Sequence, residues 1–111
     1  MADEIIISEV AREGDWTVLA LEGRLDRRNV PFFEEKAEPV LASCDKFAID
    51  LKKVSYLSSA GIRILLRLAK KAKAEQKSFV LCGAEGVVKE VMEETHMDMI
   101  VTLCRDRSEL G

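Results

Sequence analysis

The chain alternates between two kinds of segment, and that alternation restricts its fold more than any other feature. Short runs rich in Ile, Val, Leu and Phe are separated by stretches whose apolar residues recur at helical spacing. Glu4 to Val10 reads as a strand, the turn formers Gly14 and Asp15 follow, and Trp16 to Glu22 reads as the other arm of a hairpin, ended by Gly23. Asn29 stands where it can cap a first helix. Pro31 falls in the first turn, where a missing N–H does no harm, and Phe33, Ala37, Val40 and Leu41 form the apolar side. Pro39 is expected to end or kink that helix. Phe47 to Leu51 is a compact apolar run of the kind found in buried strands. Ala60 to Glu75 carries the strongest helical pattern. Gly61, Ile64, Leu65, Leu68 and Ala72 share one face, and Arg63, Arg67, Lys70, Lys71 and Lys73 lie mostly elsewhere. Ser78 to Cys82 reads as a strand closed by Gly83, and Val87, Val88, Val91 and Met92 mark a third helix. Met99 to Leu103 is a last short strand, and Arg105 to Leu110 has the composition to begin a terminal helix. The order is β-β-α-β-α-β-α-β, with a final α if that last segment continues. It predicts an α/β fold with a mixed sheet of about five strands, parallel pairs being joined by right-handed crossovers.

Length and charge narrow the function. The 111 residues fit one domain, 1–111. Seventeen basic and twenty acidic side chains give a net charge of −3, so no nucleic-acid partner is expected. The opening MADEIIISEV has neither a basic region nor a long apolar core, so no signal peptide is expected there, and no apolar run is long enough to insert into a bilayer. Cys44, Cys82 and Cys104 form no CxxC pair and read as buried free thiols in a reducing compartment.

Catalysis has almost no foothold. His96 has no second His at ligand spacing, so no metal site is expected; it reads as a solvent-facing residue at the end of the third helix. The glycines make no phosphate loop, and no GxSxG elbow occurs. No catalytic residue and no cofactor are expected. Trp16 reads as a packing residue, as do at least two of Met92, Met97 and Met99, for which an adaptable contact surface is the alternative. The basic residues of the second helix are equally consistent with a solvated face or with contact to an acidic partner.

The informative stretch runs from Leu51 to Arg63, LKKVSYLSSAGIR. A strand ends at Leu51, a loop follows, and two hydroxyls arrive at the start of a helix. Small residues Ala60 and Gly61 come next and keep the helix start open to a partner. One reading is a capping Ser that satisfies an unpaired backbone N–H, worth about 0.5–2 kcal/mol. The other uses the same geometry. A phosphate on Ser59 would sit at the positive end of the helix dipole, with Arg63 one turn along on the same side. Added charge would then act on whatever docks there.

These residues resemble the signature of STAS domains, in particular anti-sigma factor antagonists. Asp50-Leu51, Val54, Leu57, Ser58, Ser59, Gly61 and Ile62 match the family's strand end and hydroxyl-bearing helix start, and Gly23-Arg24-Leu25-Asp26 is similar to its G-x-L-D turn. The resemblance spans the whole chain. It implies a STAS-type mixed sheet with helices mainly on one face, and phosphorylation at Ser59, with Ser58 as a secondary acceptor. It implies a partner surface of Asp26, Tyr56, Leu57, Ser58, Ser59, Ala60, Gly61 and Arg63. It further implies an anti-sigma factor that is a serine kinase, a PP2C-type phosphatase, a cytoplasmic location, and a monomer or weak dimer. Two positions depart from the pattern. Ser58 stands where Asp is common, and Arg63 where many members have Gly. STAS domains also serve as non-phosphorylated scaffolds, as subunits of lipid-transport ABC systems, or as small-ligand sensors, and these are the alternatives.

Overall fold

The computed structural model describes residues 5–110. Ile5–Glu13 (β1) and Trp16–Leu25 (β2) form an antiparallel hairpin around Gly14, whose φ of 59° suits a two-residue turn. Val30–Ala42 (α1) leads to Lys46–Leu57 (β3), Ser59–Ala74 (α2) to Ser78–Cys82 (β4), and Gly86–Glu94 (α3) to Thr102–Cys104 (β5). The sheet order is β1-β2-β3-β4-β5, with β2 through β5 mutually parallel. The expected mixed five-stranded α/β fold is therefore present. Glu4, expected to open the first strand, lies outside the described residues. Among the described residues, no helix is long and apolar enough to cross a membrane.

Strand alternation divides the core in two. Leu19, Leu21, Phe47, Ile49, Leu51 and Leu81 face the helices. There they pack with Phe33, Ala37 and Leu41 of α1, Ile64, Leu65, Leu68 and Ala72 of α2, and Val88 and Met92 of α3. Val18, Ala48, Val80 and Cys82 point to the other face, which no α-helix among the described residues covers. Leu110 closes over them at 8% exposure, with Trp16 and Cys104 alongside. Arg107 fastens this C-terminal tail. Its Nε donates to Asp50 Oδ2 at 2.8 Å, and its guanidinium lies 3.8 Å from Glu13. Asp50 also accepts the Lys52 N–H at 2.9 Å.

The structure corrects several boundaries, each for a local reason. Gly23 does not end β2. It sits inside the strand at φ 107°, beside a register shift. β3 does not stop at Leu51, and Lys52–Leu57 is strand rather than loop. Between Ala20 and Glu22 of β2, β3 advances from Asp50 to Lys53; between Gly23 and Arg24 it advances from Val54 to Tyr56. Each step inserts one extra residue into β3. The buried residues there consequently fall at Leu51, Val54 and Leu57, three apart, which breaks the alternation expected of a strand. Pro39 lies inside α1 and does not end it. The last strand begins at Thr102 and not at Met99, because Met97–Met99 forms a 3-10 turn whose buried Met97 offers its carbonyl to the N–H groups of Ile100 and Val101. The terminal segment forms only a 3-10 turn, Arg107–Glu109, started by Asp106 accepting the Ser108 N–H. His96 is exposed but stands just beyond α3, with left-handed backbone at φ 61°.

Asp50→Ala removes the closest partner of a largely covered guanidinium and should lower unfolding stability by about 1–3 kcal/mol, read from the urea midpoint at unchanged slope. Cys82 lies opposite Cys104 in the sheet register and is free, as are Cys44 and Cys104. Burial, with help from Cys104, pushes its thiol up to about 12. In the folded protein Cys82 should therefore resist alkylation at about pH 8 while Cys44 reacts, as peptide mapping would show. The folded state holds this proton more tightly than the unfolded state. The thiol's contribution to stability is thus full below its ordinary pKa of 9.0 and declines as pH rises toward about 12.

Candidate functional site

The long β3 carries Tyr56 and Leu57 past the end of β4 to pair with Arg24 and Leu25 of β2 alone. The G-x-L-D turn and the start of α2 are thereby brought side by side. The Ser58 N–H donates to the Leu25 carbonyl at 3.0 Å. A Cβ on Gly61 would lie 2.8 Å from that same carbonyl oxygen and 2.9 Å from Leu57 Cδ1. Gly61 therefore exists for close approach of α2 to β2. It is buried, and the sequence-based expectation that it keeps the helix start open is corrected. Leu57 is buried as well, at 2% exposure, so both residues support the surface from beneath.

Asn29 organises the neighbouring turn. It occupies the N-cap position of α1 without capping it. Its Oδ1 instead accepts the Asp26 N–H at 2.9 Å, and its Nδ2 donates to the Arg24 carbonyl at 2.7 Å. Asp26 turns its carboxylate on Arg28, accepting the backbone N–H at 3.0 Å, with the guanidinium 3.9 Å away.

The two serines have separate tasks. Ser58 is the N-cap of α2, and its hydroxyl accepts the Gly61 N–H at 3.3 Å. Ser59 is the first helical residue and is exposed, and its hydroxyl makes no hydrogen bond among the described residues. Together with Ala60 and Arg63, the serines line an open concavity of about 540 Å³ whose other walls are Arg24, Asp26, Arg27, Arg28 and Tyr56. Of the expected surface residues, Asp26, Tyr56, Ser58, Ser59, Ala60 and Arg63 meet here. Arg24, Arg27 and Arg28 were not singled out from the sequence, although the dense run Arg24–Arg28 was a visible signal. Arg24 stacks on Tyr56, its guanidinium carbon 4.3 Å from the ring centre. Elsewhere on α2, Arg67 binds Glu34 at 2.7 Å and Lys71 lies 3.6 Å from Glu38, so these cations tie α2 to α1. Among the described residues, no group of three or more His, Cys, Asp or Glu is placed to hold a metal ion.

Residues 8–102 match the family model described as Mlab, STAS domain. The chain belongs to the STAS domain family. A Bordetella bronchiseptica protein, BtrV, provisionally assigned as an anti-sigma factor antagonist, is 34% identical over 77 residues, which cover 68% of this chain. The chain spans just under two thirds (66%) of that relative's length. In structure this STAS domain is similar to an anti-sigma factor antagonist from Mycobacterium paratuberculosis, with a TM-score of 0.88 at 22% identity, covering 98% of this chain and 92% of that one. The phosphorylated form of the Bacillus cell-fate determinant SpoIIAA superposes with a TM-score of 0.68 at 16% identity and covers 96% of each chain.

The helix start of this STAS domain should respond unequally to substitution. Ser58→Ala loses the cap and should cost about 0.5–2 kcal/mol. Gly61→Ala drives a methyl group into the Leu25 carbonyl and should cost about 1–3 kcal/mol. Ser59→Ala should stay within about 0.5 kcal/mol of wild type. Denaturant unfolding of the three variants checks the ranking.

Proposed function

We propose that this protein is an anti-sigma factor antagonist: a binding module whose docking surface is the concavity at the start of α2, switched by phosphorylation of Ser59. One observation carries the reading. Ser58 caps the helix, so the exposed Ser59 hydroxyl is free to be modified without loss of a structural bond. The partner is an anti-sigma factor with serine kinase activity in the cytoplasm, and a PP2C-type phosphatase resets the cycle. The assignment of BtrV and the phosphorylated SpoIIAA structure are consistent with it. In the transfer step the Ser59 Oγ–H loses its proton, the oxygen bonds to the γ-phosphorus of ATP, and ADP leaves. The product carries close to two negative charges at a helix N-terminus, where the backbone tolerates them. The fold persists while the docking surface changes.

Incubation with the cognate ATP-dependent serine kinase should add one phosphate to the wild type and to Ser58→Ala, and none to Ser59→Ala, by intact-mass spectrometry. Equal labelling of Ser59→Ala would reject the assignment. Ser59→Asp should weaken kinase binding by about tenfold, equivalent to about 1.4 kcal/mol, in a calorimetric titration. A protein that no kinase labels would fit the non-phosphorylated scaffold role instead.

A further inference from the structure

The concavity beside Ser59 has a charge at odds with the rest of the chain. The protein carries a net charge of −3, yet this one surface gathers four guanidinium groups, Arg24, Arg27, Arg28 and Arg63, around a single carboxylate, Asp26. That carboxylate is already engaged by the Arg28 backbone and faces its guanidinium. Arg27 and Arg63 are exposed, and neither has a carboxylate partner among the described residues. The contrast along α2 is informative. Arg67 and Lys71 answer to Glu34 and Glu38 of α1, whereas Arg63, at the helix start, answers to no carboxylate among the described residues. Arg24 lies over the Tyr56 ring, and its Nε is buried with no hydrogen-bond partner among the described residues. A guanidinium held in this way loses little freedom when a planar anion pairs with its edge.

We propose that this surface takes an acidic protein segment, a short stretch presenting two or more carboxylates to Arg27, Arg63 and the Tyr56-stacked Arg24, and that phosphoserine at position 59 competes with that segment for the same groups. The proposal rests on the docking and switch reading given above and names the partner's chemistry. Phosphorylation then acts in two ways on one surface. It places like charge against the incoming carboxylates, and it supplies an internal anion to guanidinium groups that would otherwise be available. A nucleic acid is the poorer fit, because its backbone asks for a basic stripe along many phosphates. Here four arginines border one concavity of a chain whose net charge is −3.

The test is an NMR titration of isotope-labelled full chain with a short synthetic Glu/Ala peptide, a Lys/Ala peptide and a single-stranded oligodeoxynucleotide. The Glu/Ala peptide should shift the amides of residues 24–28 and 58–63. Its affinity should fall at least about fivefold in R27A/R63A and stay within about twofold of wild type in K70A/K73A, whose lysines lie outside the concavity. All four substituted positions are exposed, and the unligated spectra verify that the variants are folded. Protein carrying phosphoserine at position 59, installed during translation, should lose at least about fivefold in affinity. In the R27A/R63A background the phosphate should cost less than in the wild type, as a double-mutant cycle reads it. No localised shifts, tighter binding of the Lys/Ala peptide or the oligodeoxynucleotide, or equal losses in K70A/K73A would overturn the acidic-partner assignment. The outcome separates from the kinase experiment. Labelling of Ser59 with a negative titration removes the acidic segment and leaves the switch, and a positive titration without labelling does the reverse.

Discussion

The Leu25 carbonyl is the point on which the site depends. It accepts the Ser58 N–H, and it lies so close to Gly61 that a methyl group there would collide with it. One backbone oxygen thus fixes both the position and the approach of α2, and through α2 the direction of Ser59. The geometry is available because β3 overruns β4 and continues beside β2. The two extra residues inserted in β3 turn Leu51, Val54 and Leu57 inward in succession, each under the helix-covered face. A shorter β3 would leave the G-x-L-D turn and the serine pair on separate parts of the surface.

Around that fixed point, structural and chemical duties fall on different side chains. Ser58 spends its hydroxyl on the cap, Asn29 spends its amide on the turn, and Asp26 turns to Arg28. Ser59, Arg27 and Arg63 are left to solvent. The residues that hold the surface and the residues that present it can therefore change independently. A surface of this kind can alter its charge while the backbone beneath it stays put.

The second face of the sheet follows a different logic. Among the described residues no α-helix covers Val18, Ala48, Val80 and Cys82, and the C-terminal tail does that work through Leu110 and the Arg107–Asp50 pair. Asp50 stands in the middle of β3, at the point where the sequence alone suggested a strand end. In this chain its carboxylate secures the tail, on the sheet face opposite the helices.

The sequence determined a good deal by itself. Strand and helix order, the α/β class and the hydroxyl-bearing start of α2 were all legible, because apolar periodicity and capping chemistry are local properties of the chain. The bulged half of β3 was not legible, since its inward residues follow the register of β2 rather than a period of their own. Nor were the duties of Ser58 and Ser59, adjacent residues of the same type, separable until the Gly61 N–H was seen to point at one hydroxyl only. The arginine cluster was likewise a tertiary product. Arg63 comes from α2 and Arg24, Arg27 and Arg28 from the far end of β2 and the turn after it. Their charges share a surface because two segments more than thirty residues apart are joined by the pairing of β2 with β3 and by the Leu25 carbonyl. Local chemistry is written in neighbouring residues, whereas the potential of a surface is set by which distant segments the sheet places side by side.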